Sequence, residues 1–278
     1  MRAPRRTWIG LGLVVVAWVL NWSLEGLRTH LLFFPLWLGY FLLLDGVVFA
    51  RSGTSPVARL GRAGTVFLFL VSAPVWWLFE LFNLRLGNWE YVGREHFGDL
   101  EYFLLCSVSF STVMPAVFVT AEWMRGMRWV ERFARGPVVR LGGTALARIG
   151  LVGLAMLVAM MVWPRALYPL VWVGGVFLLE PIVVMLGRRG LGLALSGGDW
   201  RPWMSLWAGG LFCGFFWELW NVDSYPKWIY HTPGVEFAYV FEMPALGYLG
   251  YLPFALELYL LLRLLAPRTS EVVTGALD

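Results

Sequence analysis

Apolar and polar positions alternate along this chain on a long period. Eight largely apolar runs, at about 8–24, 30–50, 64–84, 103–124, 144–163, 167–186, 204–221 and 246–266, are separated by segments rich in Arg, Gly, Pro and aromatic residues. A helix needs ~20 residues to cross ~30 Å of hydrocarbon, and each run comes close to that. The pattern predicts an all-α fold, a polytopic transmembrane helix bundle of about eight helices. The runs use nearly the whole chain, so a single integral membrane domain is expected over 1–278, with long aromatic outer loops. The opening Met1-Arg-Ala-Pro-Arg-Arg6 has the outline of a signal peptide. No small-residue cleavage site follows it, and Trp18, Asn21 and Trp22 suit a retained helix.

The runs also repeat. Phe79-Glu-Leu-Phe-Asn83 returns as Trp217-Glu-Leu-Trp-Asn221, and the same offset relates Pro115 to Pro253. Upstream, Trp37, Gly39 and Asp45 correspond to Trp172, Gly174 and Glu180 at an offset three residues shorter. These matches predict two parallel four-helix repeats, about 1–135 and 136–278. An even number of helices makes both halves enter the membrane in the same sense, with sites favoured where they meet.

Composition narrows the class further. Hydrophobic residues are 59% of the chain and charged ones only 14%, against roughly 25% charged in soluble domains. Sixteen of the 22 basic residues fall beside the termini and on connections of one side, which predicts both termini cytoplasmic. The net charge of +4 is then a topology signal with anionic membrane lipids as partners, and no nucleic-acid partner is implied. A bacterial inner (cytoplasmic) membrane is the expected location. Cys106 and Cys213 fall inside predicted spans, without disulfide or metal-type spacing.

An ionisable group in the bilayer centre costs ~2.5–3.5 kcal/mol and needs a partner, a cavity or water. Asp45, Glu80, Glu122, Glu180, Glu218 and Glu257 are the acids within predicted spans. Glu80 and Asn83 share a helix face, as do Glu218 and Asn221. Each Glu should lie about one turn, ~5 Å, below the outer surface. A pseudo-twofold relation would bring the two together as a paired-carboxylate pocket sharing a proton, suited to acid–base chemistry. The plainer account is that Glu and Asn at this depth hydrogen-bond the loop that follows. Asp45 and Glu180 lie nearer the inner interface, where pairing with Arg51 and with Arg188 or Arg189 would account for them. Glu122 reads similarly. Glu257, four residues after Pro253, is deeper.

Two outer connections, about 84–102 and 222–245, carry Trp89, Tyr91, Trp228, Tyr230 and His231. They are expected to fold over the outer mouth of the bundle, although such rings also form the interfacial belt of membrane proteins. The candidate site therefore comprises Glu80 and Glu218 as catalytic acids. Asn83, Asn221, Trp89, Tyr91, Trp228, Tyr230, His231 and Glu257 are the candidate substrate-binding residues. His30, His96 and His231 lack metal-ligand spacing, so no metal is expected, and no cofactor is implied. Phosphate-binding loops, a Gly-x-Ser-x-Gly elbow, Cys-x-x-Cys and His-Glu-x-x-His are absent from the sequence.

Three functions fit these features. One is an enzyme acting on a lipid-soluble isoprenoid or acyl substrate in the outer half of the membrane. The pairing of a buried Glu with a Trp-x-Tyr loop resembles membrane carotenoid cyclases and hydratases. That resemblance covers a small part of the chain and assigns no residue roles. The others are a small proton-coupled transporter, and a non-catalytic membrane assembly or pigment-associated subunit.

Overall fold

In the computed structural model, which describes residues 2–277, the apolar runs fold as helices. The main ones are α1 (Arg5–Ser23), α2 (Thr29–Ser52), α3 (Pro56–Leu86), α4 (Asp99–Phe110), α5 (Val113–Arg125) and α6 (Gly143–Val162). After a short α7 (Pro164–Leu167) come α8 (Leu170–Met185), a short α9 (Gly192–Ser196), α10 (Arg201–Val222), α11 (Tyr251–Leu265) and α12 (Pro267–Thr274). Strands β1 (Trp89–Val92) and β2 (Lys227–Tyr230) form one small sheet, and β3 (Tyr239–Val240) and β4 (Met243–Pro244) another.

Among the described residues, five helical segments are long and apolar enough to cross a membrane: Thr29–Ser52, Pro56–Leu86, Asp99–Arg125, Gly143–Val162 and Ala245–Leu265. Helix α8 is apolar but only 16 residues long. Helix α1 opens with two arginines, and α10 carries Trp, Ser, Asn and Glu among its apolar residues, so neither matches those five in apolarity.

Local sequence explains where the helices begin and stop. Ser55 caps α3 by accepting from the Ala58 N–H at 3.3 Å, and Pro56 fills the first helical position. At the other end of α3, Gly87 takes a left-handed conformation (φ 62°) that turns the chain into β1. The break between α4 and α5 falls at Ser111, four residues before Pro115, where a proline ring collides with the preceding turn.

Packing separates a protein-facing centre from an outward-facing edge. Helix α6 buries only Gly153 and Met160 and leans on α8, as a lipid-facing helix does. Helix α10 lies between α5 and α11. Gly209 of α10 meets the backbone of Ala121, and Gly210 meets that of Tyr251, so small residues allow close helix approach. The fully buried Trp37 sits at the aromatic centre, with the rings of Trp217, Trp220 and Tyr40 at 5.0, 4.9 and 5.0 Å. Such ring pairs add to simple area burial.

One end of the bundle is rich in arginine. Arg59 holds Glu122 with two bonds of 2.8 and 2.5 Å, and Glu131 bridges Arg125 and Arg201 at 2.9 Å each. The pairings expected for Asp45 and Glu180 differ from those observed. Asp45 accepts from Arg6 at 2.5 Å, from Ser55 and from the Val57 N–H at 2.9 Å. Glu180 accepts from the Leu191 and Gly192 N–H groups, both at 2.8 Å. Arg51 instead reaches the Met127 sulfur, and Arg188 donates to the Arg263 and Leu264 carbonyls. The reason is local: the first N–H groups of a helix have no internal partner, and an acid from the preceding helix satisfies them.

Candidate functional site

The opposite end is closed by the two long connections. Strands β1 and β2 pair antiparallel, with Trp89 opposite Tyr230 and Tyr91 opposite Trp228. Asn88 and His231 extend the pairing, since the His231 N–H donates to the Asn88 carbonyl at 2.7 Å. Alternate residues of a strand share a face, so these four rings lie on one side of the ribbon.

Each strand is clamped to its own helix by an asparagine. Asn83 accepts from the N–H groups of Asn88 and Trp89 at 2.8 and 3.2 Å and donates to the Trp89 carbonyl at 2.7 Å. Asn221 accepts from the Trp228 N–H at 3.0 Å and donates to its carbonyl at 2.7 Å. One turn earlier stand the two glutamates. Glu80 Oε1 accepts from Trp76 Nε1 (2.9 Å), Trp89 Nε1 (3.1 Å) and Tyr91 OH (2.6 Å). Glu218 Oε1 accepts from Tyr230 OH (2.7 Å) and Tyr251 OH (2.8 Å), and Trp228 Nε1 donates to Tyr230 OH at 2.9 Å. Burial and the neighbouring carboxyl push the phenols of Tyr91 and Tyr230 well above the usual tyrosine range, so both remain donors.

Beneath the ribbon is a cavity of about 540 Å³, within the size range of small-molecule sites. Its inner wall is aromatic: Trp76, Phe110, Trp172, Trp217 and Phe254. All four ribbon rings, with Tyr251, complete it. Glu80, Glu218, Asn83 and Asn221 do not face the cavity themselves. They stand behind its wall and fix the rings that do.

The expected shared proton has no direct bond to occupy, because Glu80 and Glu218 do not hydrogen-bond each other. Each is taken up by different aromatic donors, and the β1–β2 ribbon joins their two sets of rings. They also differ in environment. Glu80 is half-buried with three donors, whereas Glu218 is fully buried and its Oε2 has no hydrogen-bond partner.

His231 and Glu257 stand apart from the cavity wall. His231 Nε2 lies 3.2 Å from Glu90, another residue outside the wall. Glu257 is 3% exposed, its Oε2 lacks a partner, and its carboxyl fills the niche left by the missing side chain of Gly175. It lies one turn along α11 from Phe254 of the cavity floor. Among the described residues, no three His, Cys, Asp or Glu side chains gather as a metal site.

Sequence reasoning did not single out Tyr251, Trp172 or Phe254 as site residues. Trp172 carried a signal as the counterpart of Trp37. Tyr251 and Phe254 lie beside Pro253, which the repeat relates to Pro115, and carry no sequence signal of their own.

Comparison with known protein families, with curated proteins and with solved structures finds no match for this chain. The chemistry of the site therefore has to come from its geometry. It offers an apolar aromatic chamber, phenol hydroxyls on the wall, and carboxyls behind those hydroxyls.

Proposed function

We propose that this protein is a multi-pass membrane enzyme that takes a lipid-soluble substrate, an isoprenoid or acyl chain, into the aromatic cavity. In this reading eight helices cross the bilayer as two parallel four-helix repeats, with both termini cytoplasmic in a bacterial inner membrane. Paired details support the repeat. Gly10 meets Gly39 between α1 and α2, as Gly153 meets Gly174 between α6 and α8. Asp45 and Glu180 both cap the start of the following segment, and both Glu-x-x-Asn pairs hold a strand. The arginine-rich end supports the sidedness.

The observation that carries the reading is the hydrogen bonding of Tyr230 and Tyr251, both on the cavity wall, to the buried Glu218. A tyrosine O–H, turned from Glu218 Oε1 to a basic atom of the substrate, donates its proton there. The proton held by Glu218 replaces it on the phenol oxygen, and the resulting carboxylate later recovers the proton that the product releases. The faces of Trp172, Trp217 and Phe254 stabilise positive charge that develops on the chain. Glu80 positions Trp89 and Tyr91.

The test is mass spectrometry of lipids held by the purified full chain, followed by turnover of the identified lipid in nanodiscs. The expected result is a stoichiometric lipid-soluble molecule that the native protein converts and Glu218→Gln binds without converting. Absence of any bound lipid-soluble molecule would overturn the reading. A second reading, a proton-coupled carrier, draws on Glu257 one turn below the cavity floor. A molecule that is bound, not converted, and moved across vesicles by the native protein but not by Glu257→Gln would establish it instead.

A further inference from the structure

The cavity wall is uneven in polarity along its depth. Trp76, ten residues before the end of α3, and Phe254, inside α11, belong to its deep part. His30 at the start of α2, Arg94 beyond β1 and Thr232 beyond β2 belong to its mouth. Among the described residues, no aspartate or glutamate lines the cavity, whereas Arg94 and Lys227 do. Lys227 is matched by Glu242. Arg94 is paired only with Asp99, whose side chain is 98% exposed, and such surface pairs contribute little. Its guanidinium lies 4.2 Å over the Tyr102 ring, a wall residue, and donates to the Phe97 carbonyl at 2.6 Å. A guanidinium so placed keeps donors to spare.

On the Arg94 side of this mouth a buried polar atom lacks a partner. His30 Nδ1 is buried without a hydrogen bond, and His30 lines the cavity; Thr232 lies beyond the Trp89–Tyr230 end of the ribbon and Arg94 beyond the Val92–Lys227 end, so Thr232 is not part of this site. Buried polar groups are nearly always satisfied, so an unpartnered ring nitrogen on a cavity wall marks where a ligand atom or water belongs. The His30 ring packs edge-on against Phe97 at 5.3 Å, the residue whose carbonyl holds Arg94. The histidine and the arginine therefore belong to one side of the mouth.

Resting on the lipid-substrate reading above, we propose that the ligand is a single-chain amphiphile with an anionic head. Its chain fills the aromatic chamber, and its carboxylate or phosphate sits against Arg94, hydrogen-bonded by His30. Charge-assisted bonds to arginine are strong and directional, and a head at the mouth keeps its charge out of the apolar interior. Neutral chains would enter the same chamber without this anchor.

The test compares acids with neutral analogues on the purified full chain in nanodiscs. Fluorescent parinaric acid is titrated against its alcohol, and farnesyl phosphate against farnesol as competitors. The expected result is acid or phosphate binding at least about tenfold tighter than the alcohol, about 1.4 kcal/mol. Arg94→Gln should abolish that preference while leaving alcohol binding unchanged, and Arg94→Lys should restore part of it. Preference confined to one arm identifies the head as carboxylate or as phosphate. Equal binding of acid and alcohol by the native protein overturns this inference and leaves the chamber reading standing. That comparison needs no variant to fold. Failure of every chain to bind overturns both.

Discussion

The two glutamates behind the cavity wall are satisfied differently from the acids at the arginine-rich end. At the arginine-rich end Asp45, Glu122 and Glu131 meet Arg6, Arg59, Arg125 and Arg201, and Asp45 and Glu180 also take backbone N–H groups. At the ribbon end Glu80 and Glu218 meet only indole N–H and phenol O–H groups. A carboxylate facing a guanidinium is held as an ion, and its proton is out of play. A carboxyl facing phenols is joined to groups that can pass a proton on. The fixed charges fasten the bundle, and the neutral donors lie against the cavity.

The largest effect that tests this contrast is at Arg59. Glu122 is almost fully buried, and removing its partner leaves an uncompensated charge. Arg59→Met should lower stability by about 3 kcal/mol, the lower end of the range for buried pairs, because Arg59 is partly exposed. Unfolding in detergent measures it, and adding Glu122→Leu should recover most of the loss. A loss below about 1 kcal/mol would mean that the pair is screened like a surface one, and the fixed-charge account of this end would not hold.

Next in size is the difference within the ribbon end. Glu218→Gln should cut turnover of the bound lipid at least about a hundredfold, near 2.7 kcal/mol. The amide oxygen still accepts from Tyr230 and Tyr251, so the melting temperature should change little. Glu80→Gln should cost tenfold or less, since its three donors stay in place. If the two substitutions reduce turnover equally, the glutamates are equivalent and the division of labour between them is lost.

The sequence carried the helices and the clamps further than it carried the site. Spacing of three puts Glu80 with Asn83 and Glu218 with Asn221 on shared faces, and both asparagines hold the following strand. Alternation makes Trp89 with Tyr91, and Trp228 with Tyr230, ring pairs on one side. That the two strands pair with each other was not legible, because a register between segments far apart in sequence leaves no local mark. For the same reason the sequence offers Asp45 the nearby Arg51 as a partner and not Arg6, its partner in space. The Ser55-Pro56 helix start was the available signal for an acid turned toward α3.

A smaller effect separates Glu257 from both kinds of acid. Its carboxyl occupies the space where a side chain at Gly175 would lie. Gly175→Ala should destabilise by about 1 kcal/mol, the overpacking partly offset by the better helix propensity of alanine. Pairing it with Glu257→Ala should remove the clash, so the double variant should be more stable than the sum of the singles. Additive behaviour in unfolding measurements would show that the carboxyl has swung away from Gly175 and belongs with the cavity acids.

The smallest expected effect lies on the surface of the arginine-rich end and concerns pH. Glu131 is held below the usual glutamate range by hydrogen bonds from Arg201 and then Arg125. A depressed folded-state pKa contributes stability that is present above the unfolded pKa and is lost as pH falls through the folded one. The melting temperature of the native protein should therefore drop as pH falls below about 4.3, the ordinary glutamate value, by slightly more than that of Glu131→Gln. The two curves should run closer together below the folded-state pKa and in high salt, because exposed pairs are screened. A gap that widens on acidification would mean that Glu131 gains stability from its proton. The distinction between the two ends would then fail at its most exposed member.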